Sequence, residues 1–507
     1  MNAPLQVSRD LDVDAVAIAA AAALPLHGQA AADYAPLLES IDDAQFVLLG
    51  ECTHGTHEFY THRAAITQQL IEKKGFSIVL VEGDWPSCYR LNRYVTGADT
   101  TDASAEAALG SFAAFPAWMW SNGVTARMAE SLKTWNNGVS ELRAQHTEAQ
   151  DTVNAMRAAG VSEDQLGEMG FAAAALAPTP PCEVAFYGMD TYSVNASALA
   201  VIEFLEVVDP PAADVARTRY AHLLTFGDDM KKYGNAVVFG ELKDHAADIQ
   251  DGLQSVLTDL QRQNRESYDL LIGPTELLNA EQNAQVVVDG EAYFRGLYEA
   301  GGGGTHTWNL RDQHMVATCL RLREFHEMLH DGRPPKCILW AHNSHVGDAR
   351  ATDRGHREEW NLGQMIRSTF GSSNVYLVGF GTHSGHVTAA SDWGGAAQTF
   401  ELSEAEAGST SDLLHSALPI ARDRLGASLG AYLLLFREDG AVPEGSDADT
   451  LRELRTAFTA LRRQRMIGVS YKKEREALSH YVHASLAQQF DAWIHVDCSS
   501  ALEPLER

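Results

Sequence analysis

The chain has 507 residues, with 68 acidic and 39 basic side chains and a formal charge of −29 at pH 7. A chain of this length can bury a large core, either as one α/β domain with insertions or as two to three domains. The acidic balance disfavours non-specific binding to nucleic acid or to anionic membranes, and it favours a small-molecule partner.

Residues 1–30 are predicted to form an extension with one helix. The run Ala15 to Leu26 is apolar and alanine-rich, follows three aspartates instead of a basic segment, and is too short to span a membrane. No other segment approaches a transmembrane span. The six cysteines lack C-x-x-C pairing and are typical of reduced core residues. We therefore expect a cytoplasmic protein that does not bind membranes.

Five short apolar runs, each ending in or followed by glycine or a polar group, predict buried strands. They are Phe46 to Gly50, Ile78 to Glu82, Val184 to Asp190, Cys337 to His342 and Val375 to Phe380. Segments with helical periodicity separate them, such as Glu58 to Lys74 and Arg311 to His330. This alternation predicts an α/β fold with a mainly parallel central sheet flanked by helices.

Two longer stretches predict helical insertions within the domain of residues 31–507. Residues 135–181 are rich in alanine, glutamate and glutamine and close in Pro178-Thr-Pro-Pro181. Residues 208–300 contain only helical patterns, and Gly301-Gly-Gly-Gly304 follows them as a predicted flexible connection. We expect these helices to form a lid or a subdomain beside the sheet.

Polar side chains follow four of the predicted strands. In chain order they are Glu51, His54, Glu82, Asp84, Asp190, His342, Asn343 and His345. Because the carboxyl ends of parallel strands meet at one edge of a sheet, we expect these side chains to converge. Carboxylates beside imidazoles perturb pKa values and support acid–base catalysis. One such residue alone is more often structural, but four strand ends together predict a catalytic site.

Two well-known motifs compete with this site. His326-Glu-Met-Leu-His330 matches the H-E-x-x-H zinc motif, but it ends a helix just before a strand and is expected at the opposite sheet edge. Gly426-Ala-Ser-Leu-Gly430 matches the G-x-S-x-G nucleophile elbow, which requires a preceding strand. The charged segment Ala421 to Leu425 stands there instead. A third run, Gly379 to Gly385, is a candidate ligand loop without dinucleotide-binding spacing.

The chain resembles the erythromycin esterase-like family in a series of motifs. The first is Gly50-Glu-Cys-Thr-His-Gly-Thr-His-Glu-Phe-Tyr60, with Arg63 after it. Others follow in order, including Glu82-Gly-Asp-Trp-Pro86, Trp308-Asn-Leu-Arg-Asp312 and Trp340-Ala-His-Asn-Ser-His345. The resemblance implies an α/β core with added helices and hydrolysis of the lactone ester of 14-membered macrolides. It further implies macrolide inactivation and a response to antibiotic. Our first hypothesis is an ester hydrolase that uses neither a metal nor another cofactor.

The resemblance also implies a set of active-site residues, namely Glu51, His54, Arg63, Glu82, His342 and His345. We interpret His54 as the general base that activates water and Glu51 as the carboxylate that orients it. Glu82 and His345 are expected to position the water. Arg63 and His342 are expected to stabilise the oxyanion. Residues expected to contact the substrate are Asp84, Asp190, Asn343, Trp118 and Trp120.

Two alternatives use the same cleft. In the first, a metal-dependent hydrolase, the divalent ion that generates hydroxide is held by Glu51, His54, Glu82, His342 and His345. In the second, a binding protein without turnover, tryptophans line an apolar pocket. The sequence indicates no physiological substrate among esters and lactones and no particular oligomeric state.

Overall fold

The structure, a computed structural model, describes residues 9–28, 31–98, 101–168, 180–262, 265–299, 304–330, 332–437, 442–444 and 446–506. The described strands are β1 (Leu24–Leu26), β2 (Phe46–Leu49), β3 (Phe76–Asp84), β4 (Ala185–Asp190), β5 (Lys336–Trp340), β6 (Val375–Ala389), β7 (Gln398–Glu401), β8 (Ala431–Leu435), β9 (Leu461–Arg465), β10 (Tyr481–Ser485) and β11 (Ala492–Ser499).

The described helices fall into three groups along the chain. Those before β4 are α1 (Arg9–Ala22), α2 (Ala35–Ile41), α3 (His57–Lys74), α4 (Trp85–Thr96), α5 (Ala105–Leu109), α6 (Gly123–Ala158) and α7 (Glu163–Glu168). Those between β4 and β5 are α8 (Val194–Val208), α9 (Pro210–Leu224), α10 (Met230–Val238), α11 (Ala246–Arg262), α12 (Arg265–Ile272), α13 (Pro274–Gly296) and α14 (Thr305–Leu329). Those after β5 are α15 (Asn343–Val346), α16 (Leu362–Phe370), α17 (Thr410–Leu425), α18 (Ala448–Ala457), α19 (Glu476–Ser479) and α20 (Leu486–Gln489).

The main sheet has the strand order β1-β8-β11-β6-β2-β5-β3-β4, with β7 paired to β6. Every pair from β11 to β4 is parallel, whereas β1, β7 and β8 pair antiparallel. A separate hairpin joins β9 and β10. The five strands predicted from the sequence are five of the six strands in this parallel part, so the predicted mainly parallel sheet is confirmed.

Helices cover both faces of this sheet, which explains why its central strands are continuous apolar runs. Alternate residues of β2 point to opposite faces because the side-chain period of a strand is two. Val47 and Leu49 pack in the core layer that includes Tyr60 of α3, and Phe46 and Leu48 pack in the layer that includes Met315 of α14. All four β2 residues are buried, so the strand holds the chain that follows it in a fixed position.

Helices α8 to α13 share a hydrophobic core of their own, built from residues such as Val201, Tyr220, Tyr233 and Leu257. They cover the predicted 208–300 segment and begin before it, at Val194. Of the predicted connection at Gly301 to Gly304, only Gly304 lies among the described residues. In the part of the chain that the structure describes, no helix is long and apolar enough to cross a membrane.

The other predicted segments are more closely tied to the sheet. The predicted N-terminal helix is α1, and β1 after it pairs with β8 as an edge strand. The predicted 135–181 insertion falls on the second half of α6 and on α7, while residues 169–179 lie outside the described residues. The prediction of a ligand loop at Gly379 to Gly385 is wrong, because these residues continue strand β6. Its glycines are needed for packing: a Cβ at Gly379 or Gly381 would meet the Trp493 ring at 2.4 Å.

Candidate active site

A cavity of about 400 Å³ opens at the carboxyl ends of the central strands. Seven of the predicted site residues line it, namely His54, Glu82, Asp84, Trp120, Asp190, His342 and His345. The remaining wall is largely apolar and aromatic, with Phe112, Phe115, Tyr192, Trp308, Trp393 and Met466. Four predicted residues, Glu51, Arg63, Trp118 and Asn343, lie behind this wall instead. None of the described residues of the 135–181 insertion lines the cavity.

His54 lies on the short turn between β2 and α3, and its orientation is fixed by Glu51. The Nδ1 atom of His54 is 2.9 Å from Glu51 Oε1, and both side chains are buried. The turn can approach the rest of the sheet because it contains glycine at two points of close contact. A Cβ at Gly50 would lie 2.1 Å from Asn343 Oδ1, and one at Gly55 would lie 1.8 Å from the Thr388 carbonyl oxygen.

The electrostatic surroundings of His54 favour its protonated form. Burial acts against the imidazolium, but the negative charge of Glu82 and the hydrogen bond and charge of Glu51 outweigh it. Together they raise the pKa of His54 above its ordinary value of 6.5. A histidine with this environment accepts a proton readily and stabilises the resulting cation, as a general base requires.

Arg63 supports Glu51 from behind and does not reach the cavity. Its Nη2 donates to Glu51 Oε2 over 2.8 Å, and the side chain is completely buried. The guanidinium carbon lies 4.4 Å from the Tyr60 ring centroid and 4.7 Å from that of Trp340. We therefore revise the role expected for Arg63: it holds the carboxylate that orients His54 and does not line the cavity.

Glu82 is an anion that already has protein partners on both oxygens. Its Oε2 accepts the backbone N–H of His342 at 2.8 Å, and its Oε1 accepts Arg311 Nη2 at 2.7 Å. Burial favours the neutral acid, but His345, Arg311 and His54 together hold the pKa of Glu82 well below its usual range. Glu82 therefore contributes fixed negative charge beside His54 and fixes the backbone at His342.

His345 is also held at both ring nitrogens. Its Nδ1 lies 2.9 Å from Asp312 Oδ2, and its Nε2 lies 3.0 Å from Arg311 Nη1. Because the guanidinium only donates, Nε2 accepts and Nδ1 carries the hydrogen. The ring stacks on Trp308 with centroids 4.5 Å apart and an interplanar angle of 3°. With neither nitrogen free for water, we revise the expected role of His345 from water positioning to support of Arg311.

Arg311 and Asp312 belong to the site, although the sequence analysis did not single them out. Arg311 donates to Asp190 at 2.9 and 2.7 Å in addition to Glu82, and Asp312 accepts from His345 and from the Leu362 backbone N–H. Both residues lie on α14 and not after a strand, so a search of strand ends omits them. The signal was present in Trp308-Asn-Leu-Arg-Asp312, one of the motifs that carry the family resemblance.

His342 lines the cavity, and its hydrogen bonds fix the tautomer of its ring. Its Nδ1 accepts the backbone N–H of Ser344 at 3.2 Å, which leaves the ring hydrogen on Nε2. That Nε2 atom is buried and has no hydrogen-bond partner among the described residues. Burial and the neighbouring His54 hold the pKa of His342 well below 6.5, so the ring stays neutral. The two histidine rings lie 4.9 Å apart between centroids.

The residues expected to bind substrate divide into three groups. Trp120 and Asp84 line the cavity, and Trp120 also donates to the Glu82 carbonyl oxygen at 3.0 Å. Asp190 lines it too, but Arg311 and the Thr191 backbone N–H occupy its oxygens. Asn343 is bonded to the Phe380 backbone through both ends of its amide, and Trp118 packs in the core. We therefore reassign Asn343 and Trp118 from substrate contact to structural support.

A model of the erythromycin esterase family matches residues 71–499. The chain belongs to the erythromycin esterase family. It is a hydrolase of that family, and its substrate class is small molecules. The matched range begins after the turn that carries Glu51 and His54 and after Arg63, so the assignment of these residues depends on the geometry described above.

Three solved structures are similar to this family member over almost their whole length. A protein from Bacillus cereus shares 16% identity over 98% of this chain and 99% of its own, with a TM-score of 0.67. A succinoglycan biosynthesis protein shares 17% identity over 99% and 100%, with a TM-score of 0.66. A mutant of the erythromycin esterase EreC, in its open conformation, shares 15% identity over 94% and 96%, with a TM-score of 0.56. At these identities the likeness concerns the fold.

The two competing motifs lie where the sequence predicts. His326 and His330 follow Arg311 on α14 by at least fifteen residues, about 22 Å along a helix, and His326 Nε2 bonds the Tyr187 hydroxyl at 3.0 Å. Gly426 to Gly430 follows helix α17 and precedes strand β8. This order is the reverse of a nucleophile elbow. Neither motif contributes to the cavity of this esterase family member.

The donor set at the cavity does not suit a shared metal ion. Within the described ranges, no three histidine, cysteine, aspartate or glutamate side chains are placed to hold one. The Arg311 guanidinium lies between Glu82, Asp190 and His345, the donors that would otherwise be the best candidates. A divalent cation would have to displace this guanidinium, so we derive no step through a metal.

Proposed function

We propose that this protein hydrolyses a carboxylic ester of the macrolactone type, with His54 as the general base. The observation that carries the proposal is the pairing of two histidines in one cavity. His54 is backed by Glu51 as a base requires, and His342, with its ring centroid 4.9 Å away, offers an unpartnered N–H. A base for water and a donor for the developing oxyanion are the two groups that ester hydrolysis needs.

In this mechanism, water lies between the substrate carbonyl carbon and the His54 ring. His54 takes a proton from the water as the oxygen attacks the carbon, and the carbonyl oxygen becomes an oxyanion. Glu51 and Glu82 stabilise the imidazolium that forms, while the His342 N–H donates to the oxyanion. The carbon–oxygen bond to the alcohol then breaks, and the departing alkoxide takes up one proton, equal to the one that His54 removed from water. The products are a carboxylic acid and an alcohol. Neither serine nor cysteine is needed as a nucleophile.

Macrolide lactones are the first substrates to test. The support is family membership, together with a cavity of about 400 Å³ whose aromatic wall suits an apolar ring and whose polar groups converge at one end. On this proposal the protein inactivates macrolides and contributes to a response to antibiotic. A cytoplasmic location, which the sequence predicts, agrees with that role and stays a prediction.

The direct test is a mass-spectrometric screen of erythromycin and a panel of simpler lactones and esters, run in water labelled with heavy oxygen. We expect at least one compound to gain one water, with the label in the new carboxylate. If no compound gains a water, the binding-protein alternative is favoured over a hydrolase. The metal-dependent alternative is separated by metal analysis of the purified protein and by the rate after chelation, which we expect to be unchanged.

Replacing His342 by alanine should lower kcat by about 10²–10³-fold, since an oxyanion donor contributes in the transition state. KM should change much less, because the donor has little to bind in the ground state. The measurement is steady-state kinetics on the compound that the screen identifies. Ser344→Ala is the matched control: it removes the hydroxyl beside Nδ1 but keeps the backbone N–H that sets the tautomer. Equal kcat for His342→Ala and wild type would remove His342 from the mechanism.

A further inference from the structure

Asp84 is a carboxyl group in the cavity that no structural interaction accounts for. It ends β3 and is the residue before helix α4, a position at which aspartate normally accepts a hydrogen bond from the first turn of the helix. The Asp84 side chain accepts none, and we find no hydrogen bond to it within the described ranges. It lines the cavity instead, together with His54 and His342.

The order of the strands places Asp84 on one side of the oxyanion donor and the base on the other. His54 follows β2, His342 follows β5 and Asp84 ends β3, and these strands are neighbours in the order β2-β5-β3. Adjacent strands lie about 4.8 Å apart, so the strands that carry His54 and Asp84 are roughly 10 Å apart, with the strand that carries His342 between them. An ester whose carbonyl oxygen meets His342 therefore has His54 on one side and Asp84 on the other.

Glu82 and Asp84 are two residues apart on one strand, yet their environments shift their pKa values in opposite directions. Arg311, His345 and the His342 N–H keep Glu82 ionised. Burial, then the neighbouring Asp190 and Asp228, raise the pKa of Asp84 to about 7, although Arg311 opposes this. The Cys88 thiol on α4 is the other titratable group that interacts with it. Two carboxyls separated in this way are typical of sites where one is a fixed anion and the other a proton donor.

We propose that Asp84 is the general acid that protonates the leaving alcohol. When the tetrahedral intermediate collapses, the bond between carbon and the alkoxide oxygen breaks, and that oxygen takes the proton from the Asp84 carboxyl. His54 then releases the proton it took from water, and Asp84 regains one from solvent, so the enzyme returns to its starting state. The step rests on the proposed ester hydrolysis and adds the group that completes it.

The inference is tested with two acetate esters that differ only in the leaving group. Ethyl acetate releases an alkoxide that needs a proton, whereas para-nitrophenyl acetate releases a stable phenolate that does not. In Asp84→Asn we expect kcat/KM for ethyl acetate to fall by about 10²–10⁴-fold, the contribution of general acid catalysis, with little change for para-nitrophenyl acetate. Asp84→Glu, which keeps a carboxyl, should recover part of the lost rate.

The pH profile gives a second readout that a merely structural role would not move. The acid must be protonated, so the wild-type rate on ethyl acetate should fall as the pH rises above about 7. The rate on para-nitrophenyl acetate should lack this alkaline limb. Asp228→Asn is the matched control, because Asp228 is a neighbouring carboxylate that does not line the cavity. At a pH well below 7, where Asp84 stays protonated with or without the Asp228 charge, this variant should leave the ratio of the two ester rates unchanged.

Each outcome separates this inference from the function on which it rests. Equal loss of both ester activities in Asp84→Asn would assign Asp84 a structural role, and no loss of either would leave His54 as the proton donor. Both results overturn the inference and leave ester hydrolysis intact. If wild-type protein hydrolyses neither ester and no compound of the lactone panel, the proposed function fails, and the role of Asp84 fails with it.

Discussion

Replacing His54 by asparagine should abolish ester hydrolysis while the fold stays intact. Loss of a general base alone costs about 10²–10⁴-fold in rate, and asparagine has no basic nitrogen to take the proton of water. Its amide is close to the imidazole in size, so the contact with Glu51 can persist and the core around β2 is unaffected. Turnover is measured on the best compound of the lactone panel, and folding by the thermal unfolding midpoint.

The pH dependence of the wild-type enzyme provides an independent check on the same residue. The base must be unprotonated, so kcat/KM should rise with pH through the pKa of His54, and this limb should lie above 6.5 because Glu82 and Glu51 raise that pKa. His57→Asn is the matched control, since this histidine lies three residues further on and does not line the cavity. Retained turnover in His54→Asn would refute the mechanism.

Replacing Arg63 by methionine should have the largest effect on stability. The side chain is fully buried, and its removal leaves the Glu51 carboxylate buried with only His54 as a charged partner. Breaking a buried ion pair on one side costs about 3–5 kcal/mol in the free energy of unfolding. Activity should fall as well, because Glu51 no longer holds the base. Denaturant unfolding and turnover are measured on the same preparation.

Two further variants separate charge from packing in this prediction. Arg350→Met breaks an ion pair with Asp348 in which the arginine side chain is 55% exposed, and it should cost at most about 1 kcal/mol. The double variant Arg63→Met with Glu51→Gln removes the orphaned charge, so it should recover part of the stability but not the activity. If Arg63→Met unfolds at the same denaturant concentration as wild type, the guanidinium is not needed to hold Glu51.

The parallel part of the fold was predictable because its strands are buried on both faces. Runs such as Phe46 to Leu49 and Cys337 to Trp340 have no polar interruption, and the residues after them identify the sheet edge that carries the candidate site. Strands β8 and β11 were not predicted. In β11, the run Ala492 to Ser499 mixes apolar residues with His495 and Asp497, and its pairing partner β8 is distant in sequence. Such strands are specified by tertiary contacts more than by local pattern.

The same distinction explains which site residues the sequence revealed. Residues at strand ends converge by topology alone, so His54, Glu82 and His342 could be grouped without coordinates. Arg311 reaches the site from the middle of a chain segment that is helical throughout, and only the packing of α14 on the sheet brings it there. The orientation of side chains could not be predicted from the sequence either. The buried position of Arg63 and the occupied nitrogens of His345 follow from side-chain contacts.

The ion pair between Asp190 and Arg311 connects the two ends of a long helical segment of the chain. Asp190 ends β4 just before helices α8 to α13 begin, Arg311 comes shortly after they end, and the two are 121 positions apart in sequence. The helical subdomain is thus a segment of the chain whose two ends are held together by this ion pair, at the sheet edge that carries the candidate site. The length and sequence of this subdomain can therefore diverge among relatives without moving the groups of the candidate site, provided that the ion pair between Asp190 and Arg311 is kept.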